Sequence, residues 1–306
     1  MESNKLAPIL LFAYNRPEHT RNLLQSLDKN LESKESLLYV FLDGPKNTED
    51  KTLVTEVKKV VTEHEGFKQI TIIERNENWG LAKNIIEGVT EVISKFKRVI
   101  VLEDDLIVAP YFLKFMNDAL ELYREEERVG HIQAYDFTQN KNLPTSFLIK
   151  WTGSWGWGTW ERAWKLFNPN GKELLANLKS NNSSKQFDFN GTYPFTKMLE
   201  RQIKGENDSW AIRWNATLFT NNILSLNAGR SLVDNRGFDG SGTHCGSQDI
   251  YKATLLKEPL VLEKIEPIEE NREARKAFER YYKKTNGFIP KVKRRLQRIF
   301  KGDFSK

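Results

Sequence analysis

Three consecutive carboxylates, Glu103, Asp104 and Asp105, follow directly on the aliphatic run Val99, Ile100, Val101 and Leu102. One acid after a strand is ordinary turn chemistry. Three in a row repel one another and raise each other's pKa unless a cation compensates. Carboxylate oxygens favour a hard divalent ion such as Mn2+ or Mg2+, with water and phosphate oxygens completing its shell. The triplet therefore reads either as a solvated turn or as a metal site for a phosphate-bearing ligand, and only the second accounts for the clustering.

Other chemistry-bearing patterns narrow the choice. The chain has no Walker motif, no GxGxxG after a strand, no HExxH and no CxxC pair, so P-loop, dinucleotide, zincin and zinc-ribbon readings lack their residues. A carboxylate-held ion at a strand end binds a nucleotide diphosphate without any of these, which points to nucleotide-sugar chemistry. Residues 151–164, WTGSWGWGTWERAW, hold five of the eight tryptophans. They read as packed core or, because Gly153, Gly156 and Gly158 loosen the backbone, as a loop that closes on a sugar with Trp155 in contact. His244 beside Cys245 suggests a thiol or zinc site, but no second cysteine and no nearby histidine complete one. Asn76, Trp79, Gly80 and Lys83 lie in a loop entering a helix, where Lys83 is either surface charge or a nucleotide contact.

The elements that must position these residues follow from hydrophobic period. Apolar runs at 9–13, 38–42, 70–73 and 99–102 have strand length and read as strands buried on both faces. Helical patterns separate them at 21–31, after Pro17, at 49–63, and at 81–96, where Ile85, Ile86, Val89 and Ile93 share a face. Alternation of this kind predicts an α/β fold with a mostly parallel sheet flanked by helices. Ligands of such sheets bind beyond the carboxyl ends of the strands, where the triplet falls. The first two strands also end in polar sequence, Tyr14-Asn15-Arg16-Pro17 and Asp43-Gly44-Pro45, so three polar strand ends face one crevice. A further helix is expected after Pro110, and another from Trp210 to Phe219. From about residue 130 the pattern is irregular, with an Asn-rich loop near 180–192.

The resemblance becomes specific at ILLFAYNRPEHTRNLLQSL, VFLDGPK, NENWGLAKNIIEGV and VIVLEDDLIVAPYFLKFM. Their order resembles GT-A fold glycosyltransferases, and the last stretch is similar to that of the N-acetylglucosaminyltransferase I family. The likeness covers residues 6–125 well and continues more loosely through GSWGWGTWERAW, NDSWAIRW and GSGTHC to about 246. It implies that Glu103 contacts the donor sugar, Asp104 the ribose side, and Asp105 the metal bridging the diphosphate. It places the nucleotide near Ala13, Tyr14, Asn15, Arg16 and Asp43, with Lys83 alongside. The family's catalytic base precedes a tryptophan, which makes Asp208 the candidate, with Glu206 and a helix-capping role as alternatives. Trp155 and Trp210 are the implied donor or acceptor sugar contacts, and His244 an implied contact to metal or phosphate. UDP, GlcNAc and Mn2+ or Mg2+ are the implied nucleotide, sugar and cofactor.

The division expected is a donor half (1–128), an acceptor and catalytic-base half (129–262), and a basic helical tail (263–306). Residues 264–306 carry fourteen basic against six acidic residues, a surplus of 8, so the rest of the chain sums to −2. The basic balance thus belongs to the tail, and a nucleic-acid surface is not expected. Val292, Leu296, Ile299 and Phe300 opposite Lys/Arg predict a peripheral helix on an anionic membrane, against a solvated helix or an oligomer contact. A single cysteine, and no charged start leading into a long apolar run, predict a cytoplasmic enzyme. The departure from membrane-anchored relatives points to a bacterial-type transferase building surface polysaccharide on a saccharide or lipid-linked acceptor. A sugar nucleotidyltransferase and a noncatalytic sugar-binding module are the rival classes. The first lacks its Gly-rich loop where this chain has AYNRPEHT, and the second has no need of Asp105.

Overall fold

The computed structural model describes residues 6–238 and 252–286. In chain order the strands are β1 (Ile9–Ala13), β2 (Leu37–Leu42), β3 (Gln69–Glu74), β4 (Arg98–Glu103), β5 (Leu106–Val108), β6 (Val129–Gln133), β7 (Ser146–Ile149), β8 (Trp157–Trp160), β9 (Leu224–Ala228) and β10 (Val233–Asn235). The helices are α1 (Pro17–Leu27), α2 (Thr48–Thr62), α3 (Leu81–Phe96), α4 (Phe112–Leu122), α5 (Glu161–Trp164), α6 (Gly171–Ser180), α7 (Ser184–Phe187), α8 (Phe195–Ile203), α9 (Trp210–Thr220) and α10 (Arg272–Asn286).

Eight strands form one sheet in the order β3-β2-β1-β4-β8-β6-β9-β7, and β5 pairs with β10 in a separate antiparallel ribbon. β1, β2, β3 and β4 run parallel, β8 runs against β4 and β6, β9 runs with β6, and β7 runs against β9. Only β7 and β8 are reversed, so the expected mostly parallel α/β sheet is present. Helices cover both faces of the middle of the parallel part, where β1 and β4 are buried above and below. Leu11, Ile100 and Leu102 join one core cluster, whereas Leu10, Val99 and Val101 join another with Ile85, Val89 and Val92 of α3.

Local chemistry sets the ends of these helices. Pro17 opens α1, where a missing N–H costs nothing. Asn47 caps α2 by accepting from the Asp50 N–H at 2.8 Å, and Ser209 caps α9 by accepting from Ile212 at 3.2 Å. Gly80, ahead of α3, has φ +75°, a conformation that L side chains rarely adopt.

Four expectations change. β3 is the outer strand of the sheet and is only half-buried, because nothing pairs beyond it among the described residues. The second half, although less regular in strand direction, is not a separate layer: β6, β8, β9 and β7 extend the same sheet across residue 128. Within the Asn-rich stretch, Ser184–Phe187 forms α7, a single helical turn whose Phe187 is buried. The start of the tail is not separate either, since Ala274, Ala277, Phe278 and Tyr282 of α10 pack in one cluster with Phe147, Ile149 and Trp151. The second basic helix expected near 292–300, with His244 and Cys245, lies outside the described residues. No helix among the described residues is long and apolar enough to cross a membrane.

Candidate active site

A cavity of about 390 Å³ opens where the chain leaves β1, β2 and β4, and Ala13, Tyr14, Asn15, Arg16, Asp43, Glu103, Asp104, Asp105 and Trp155 all line it. The parallel register explains the convergence: Phe12 stands beside both Phe41 and Glu103, so the next residues of all three strands emerge at one edge. β4 stays hydrogen-bonded to β1 as far as the Asp104 N–H, which donates to the Phe12 carbonyl at 3.1 Å. The next residue is tied elsewhere, as the Asp105 carbonyl accepts from the Arg236 N–H at 2.7 Å. That bond brings the segment after β10 against the triplet, close enough that a side chain at Gly237 would collide with the Asp105 carboxylate.

Burial and mutual repulsion make the triplet reluctant to ionise. Burial, then the Asp105 charge, push Asp104 up to about 7, while Arg16 and the Tyr14 N–H work the other way. Burial, then the charges of Asp105 and Asp104, raise Glu103 well above the usual carboxylate range. Burial raises Asp105 too, against the opposing charges of Arg16 and His19. Tyr14 N–H donates to Asp104 Oδ2 at 3.2 Å, and Arg16 Nη1 reaches Asp105 Oδ2 at 3.3 Å. Asp105 Oδ1 is buried with no hydrogen-bond partner among the described residues. A divalent ion fits this arrangement on two counts: an orphaned anionic oxygen, and a lining of five carboxylates (Asp43, Asp50, Glu103, Asp104, Asp105) against two cations, Arg16 and Lys46. No group of three or more metal-ligating side chains is assembled among the described residues. The protein side of the shell would therefore be the triplet's carboxylates, with phosphate and water supplying the rest.

Asp43 is more committed than its sequence position implied. Its Oδ1 accepts from the Gly44 N–H at 2.9 Å and the Trp79 N–H at 2.8 Å, and its Oδ2 from Asn78 Nδ2 at 3.0 Å and the Gly80 N–H at 2.9 Å. Four donors fill a carboxylate's main acceptor positions. Asp43 thus fastens the 78–80 loop, which forms one wall of the cavity. Asp50 is a residue that sequence reasoning missed. It accepts from Tyr14 Oη at 2.7 Å and from Asn15 Nδ2 at 2.6 Å, fixing both side chains at the cavity rim. Those bonds hold the Asp50 carboxyl below its usual range, and burial with the Asp50 bond pushes Tyr14 up to about 12. Asn84, Asn78, Lys46 and Asn235 are further lining residues with no marker in the sequence.

Other expected residues lie outside the cavity. Lys83 is exposed and stands over the Trp79 ring, 4.0 Å from its centroid, a cation–π contact that keeps it off the lining. Trp210 is 4% exposed and stacks on Trp157 at 5.1 Å, so its ring serves the core and not a sugar. The Trp-rich segment follows the packing reading for Trp157, Trp160 and Trp164, all buried; Trp155 alone of its tryptophans lines the cavity. Trp155 stacks on Phe137 at 5.0 Å and meets Tyr135 and Phe238 edge-on. Asp208 is 75% exposed, 3.5 Å from Arg213, and is not a cap, because Ser209 fills that role. Glu206 pairs with Arg201 at 3.1 Å. Neither acid lines the cavity.

A mostly parallel α/β sheet with a carboxylate-rich cleft at its strand ends is the arrangement expected of a nucleotide-sugar glycosyltransferase of GT-A fold. The model of Glycosyl transferase family 2 matches residues 9–184, more than half of the chain, and the chain belongs to that family. Among solved structures, the chain is similar to a mannosyltransferase from Pyrobaculum calidifontis in complex with GDP-Man and Mn2+, at 14% identity and TM-score 0.38, covering 57% of this chain and 48% of that one. It is similar to S. aureus TarS residues 1–349, at 15% identity and TM-score 0.36, covering 58% and 49%. A nucleotide-diphospho-sugar transferase from Desulfovibrio desulfuricans G20, described as putative, matches at 11% identity and TM-score 0.33, covering 53% and 68%. The chain thus spans about half the length of the first two structures. No curated protein matches.

Proposed function

We propose that this family 2 enzyme moves a hexosyl group, GlcNAc first, from a UDP-sugar to a hydroxyl of a saccharide or lipid-linked saccharide, with a divalent ion and with inversion. The observation that carries the reading is the triplet at the end of β4, with Asp104 buried and its two neighbours half-buried, in a cavity whose lining is short of positive charge. A diphosphate brings further negative charge, so its binding there calls for a cation. Asp105, with Asp104 beside it, would hold Mn2+ or Mg2+, and the chemistry that ion would supply is neutralisation of charge on the leaving diphosphate.

The chain's own residues supply the rest. Asp43 and Asp50 hold the walls between which the nucleotide lies, with Ala13, Tyr14, Asn15 and Arg16 on the β1 side. Asp104 faces the ribose and Glu103 the donor sugar. Trp155 offers a flat apolar surface beside them to a sugar ring. Asp208 takes the acceptor hydroxyl proton from the face opposite the leaving group, a contribution of about 10²–10⁴-fold. UDP and GlcNAc rest on the resemblance to N-acetylglucosaminyltransferase I. In this division residues 1–128 bind donor, 129–262 bind acceptor and carry the base, and 263–306 form a basic end. Peripheral contact with an anionic membrane would come from the basic helix expected near 292–300, where Val292, Leu296, Ile299 and Phe300 oppose Lys/Arg, a segment outside the described residues. The reading places the enzyme at the cytoplasmic face, in surface polysaccharide synthesis.

Thermal shift across a panel of nucleotide sugars, with and without Mn2+, tests this. Stabilisation by a UDP-sugar only with metal, lost in Asp105→Ala, is the expected outcome. No stabilisation by any nucleotide sugar with metal present overturns the reading.

A further inference from the structure

Arg16 ends the loop between β1 and α1, so the fixed end of β1 and Pro17 at the start of α1 deliver its guanidinium to the triplet. Nη1 lies 3.3 Å from Asp105 Oδ2, with both side chains largely shielded from solvent. The other lining cation, Lys46, is exposed and sits over the Tyr14 ring at 5.5 Å. Among the described residues Arg16 is thus the cation paired with Asp105, with His19 acting on it as well, and the Arg16 field lowers the proton affinity of Glu103, Asp104 and Asp105 alike. The contact itself is loose. A charge-assisted N–H···O bond closes to roughly 2.7–2.9 Å and an arginine fork commonly engages both oxygens, whereas here Oδ1 is left buried and unpartnered.

An arginine cannot discard its charge, so a divalent ion reaching Asp105 meets a like charge already seated on that carboxylate. A diphosphate changes the balance, because its oxygens match the planar guanidinium fork better than one carboxylate oxygen does. We propose that Arg16 is the resident counter-ion of Asp105 in the ligand-free enzyme and releases that carboxylate to the divalent ion by moving onto the incoming diphosphate. Metal and diphosphate then bind cooperatively, each weakly alone, and the coupling is the same seen from either ligand. The proposal rests on the donor-site reading given above, and deepens it by assigning the order in which charges are exchanged.

Isothermal titration of the full chain with Mn2+ alone, inorganic pyrophosphate alone, and Mn2+ at saturating pyrophosphate separates the outcomes. Pyrophosphate carries the phosphate chemistry without committing to a base. Arg16→Gln is expected to bind Mn2+ alone at least roughly tenfold more tightly than the parent, since a like charge at contact distance has been removed, and to lose the enhancement by pyrophosphate. Arg16→Lys, which keeps the charge, is expected to bind Mn2+ alone close to the parent value. If Asp105→Asn abolishes metal binding but Arg16→Gln gains none, Arg16 does not compete and the proposal fails alone. If Asp105→Asn leaves Mn2+ and pyrophosphate binding intact, the site reading itself fails. Melting temperatures of all three variants confirm that each is folded.

Discussion

At the scale of single residues, Asp43 shows how a site residue can be legible while its task is not. The sequence marks it as a polar strand end facing the crevice. Its four donors come from Gly44 next door and from Asn78, Trp79 and Gly80 more than thirty residues on, a contact no local pattern announces. Asp50 is hidden for a related reason: it sits in the first turn of α2 after the Asn47 cap, where an acid is ordinary helix chemistry. Asp43→Asn places an amide N–H₂ against N–H donors and strips two of the four of an acceptor. Each buried group left unsatisfied costs about 1–3 kcal/mol, so the variant is expected to lose stability by that order in urea unfolding, with a weaker donor site as a consequence. Unchanged unfolding energy together with a selective loss of uridine nucleotides would instead make Asp43 a base contact and end the loop-fastening account.

Among the elements, those with a clean hydrophobic period were readable and those built by tertiary context were not. β1, β2 and β4, and α2 and α3, fall within a residue or two of the sequence expectation, because long aliphatic runs and one-sided helices carry their own signal. β8 reads as a glycine-loosened loop since Trp157, Gly158, Thr159 and Trp160 show no alternation; all four are buried because β4 and β6 flank them and helices cover both faces. β6, with Gly130, His131 and Gln133, is too polar to announce a buried strand. α9 was legible, and its first turn separates structure from chemistry. Ser209→Ala removes the cap and is expected to cost about 1 kcal/mol of stability with little change in turnover. Asp208→Asn, whose side chain is exposed and weakly paired, is expected to keep the melting temperature and to lower turnover about 10²–10⁴-fold at unchanged donor affinity. Urea unfolding and steady-state rates on the two variants distinguish them. Full turnover in Asp208→Asn sends the base elsewhere.

For the whole molecule, the decisive feature is that one sheet runs across residue 128, so the two halves of the chain share a core. His131 on β6 sits at that join. It is buried, stacks on Trp157 of β8 at 5.4 Å, and accepts from Trp214 Nε1 of α9 at Nδ1, 3.1 Å away. Burial pushes its pKa down to about 3. A histidine whose folded pKa lies below its unfolded value of about 6.5 binds fewer protons in the native state, so its contribution to stability is complete above pH 6.5 and is lost as pH falls toward 3. One such group gives a slope of up to about 1.4 kcal/mol per pH unit in that window. Protonation would also place N–H against N–H at Trp214 and set a charge between two indoles with no counter-ion among the described residues. The expected result is a single unfolding transition that moves down steadily below pH 6.5, and a shallower acid limb in His131→Gln, whose amide oxygen can still accept from Trp214. Denaturant unfolding at pH 7.5, 6.0 and 5.0 on both proteins measures this. Parallel acid limbs would mean that the join between the halves is not where acid opens the fold, and two separate transitions would mean that the continuous sheet does not couple them.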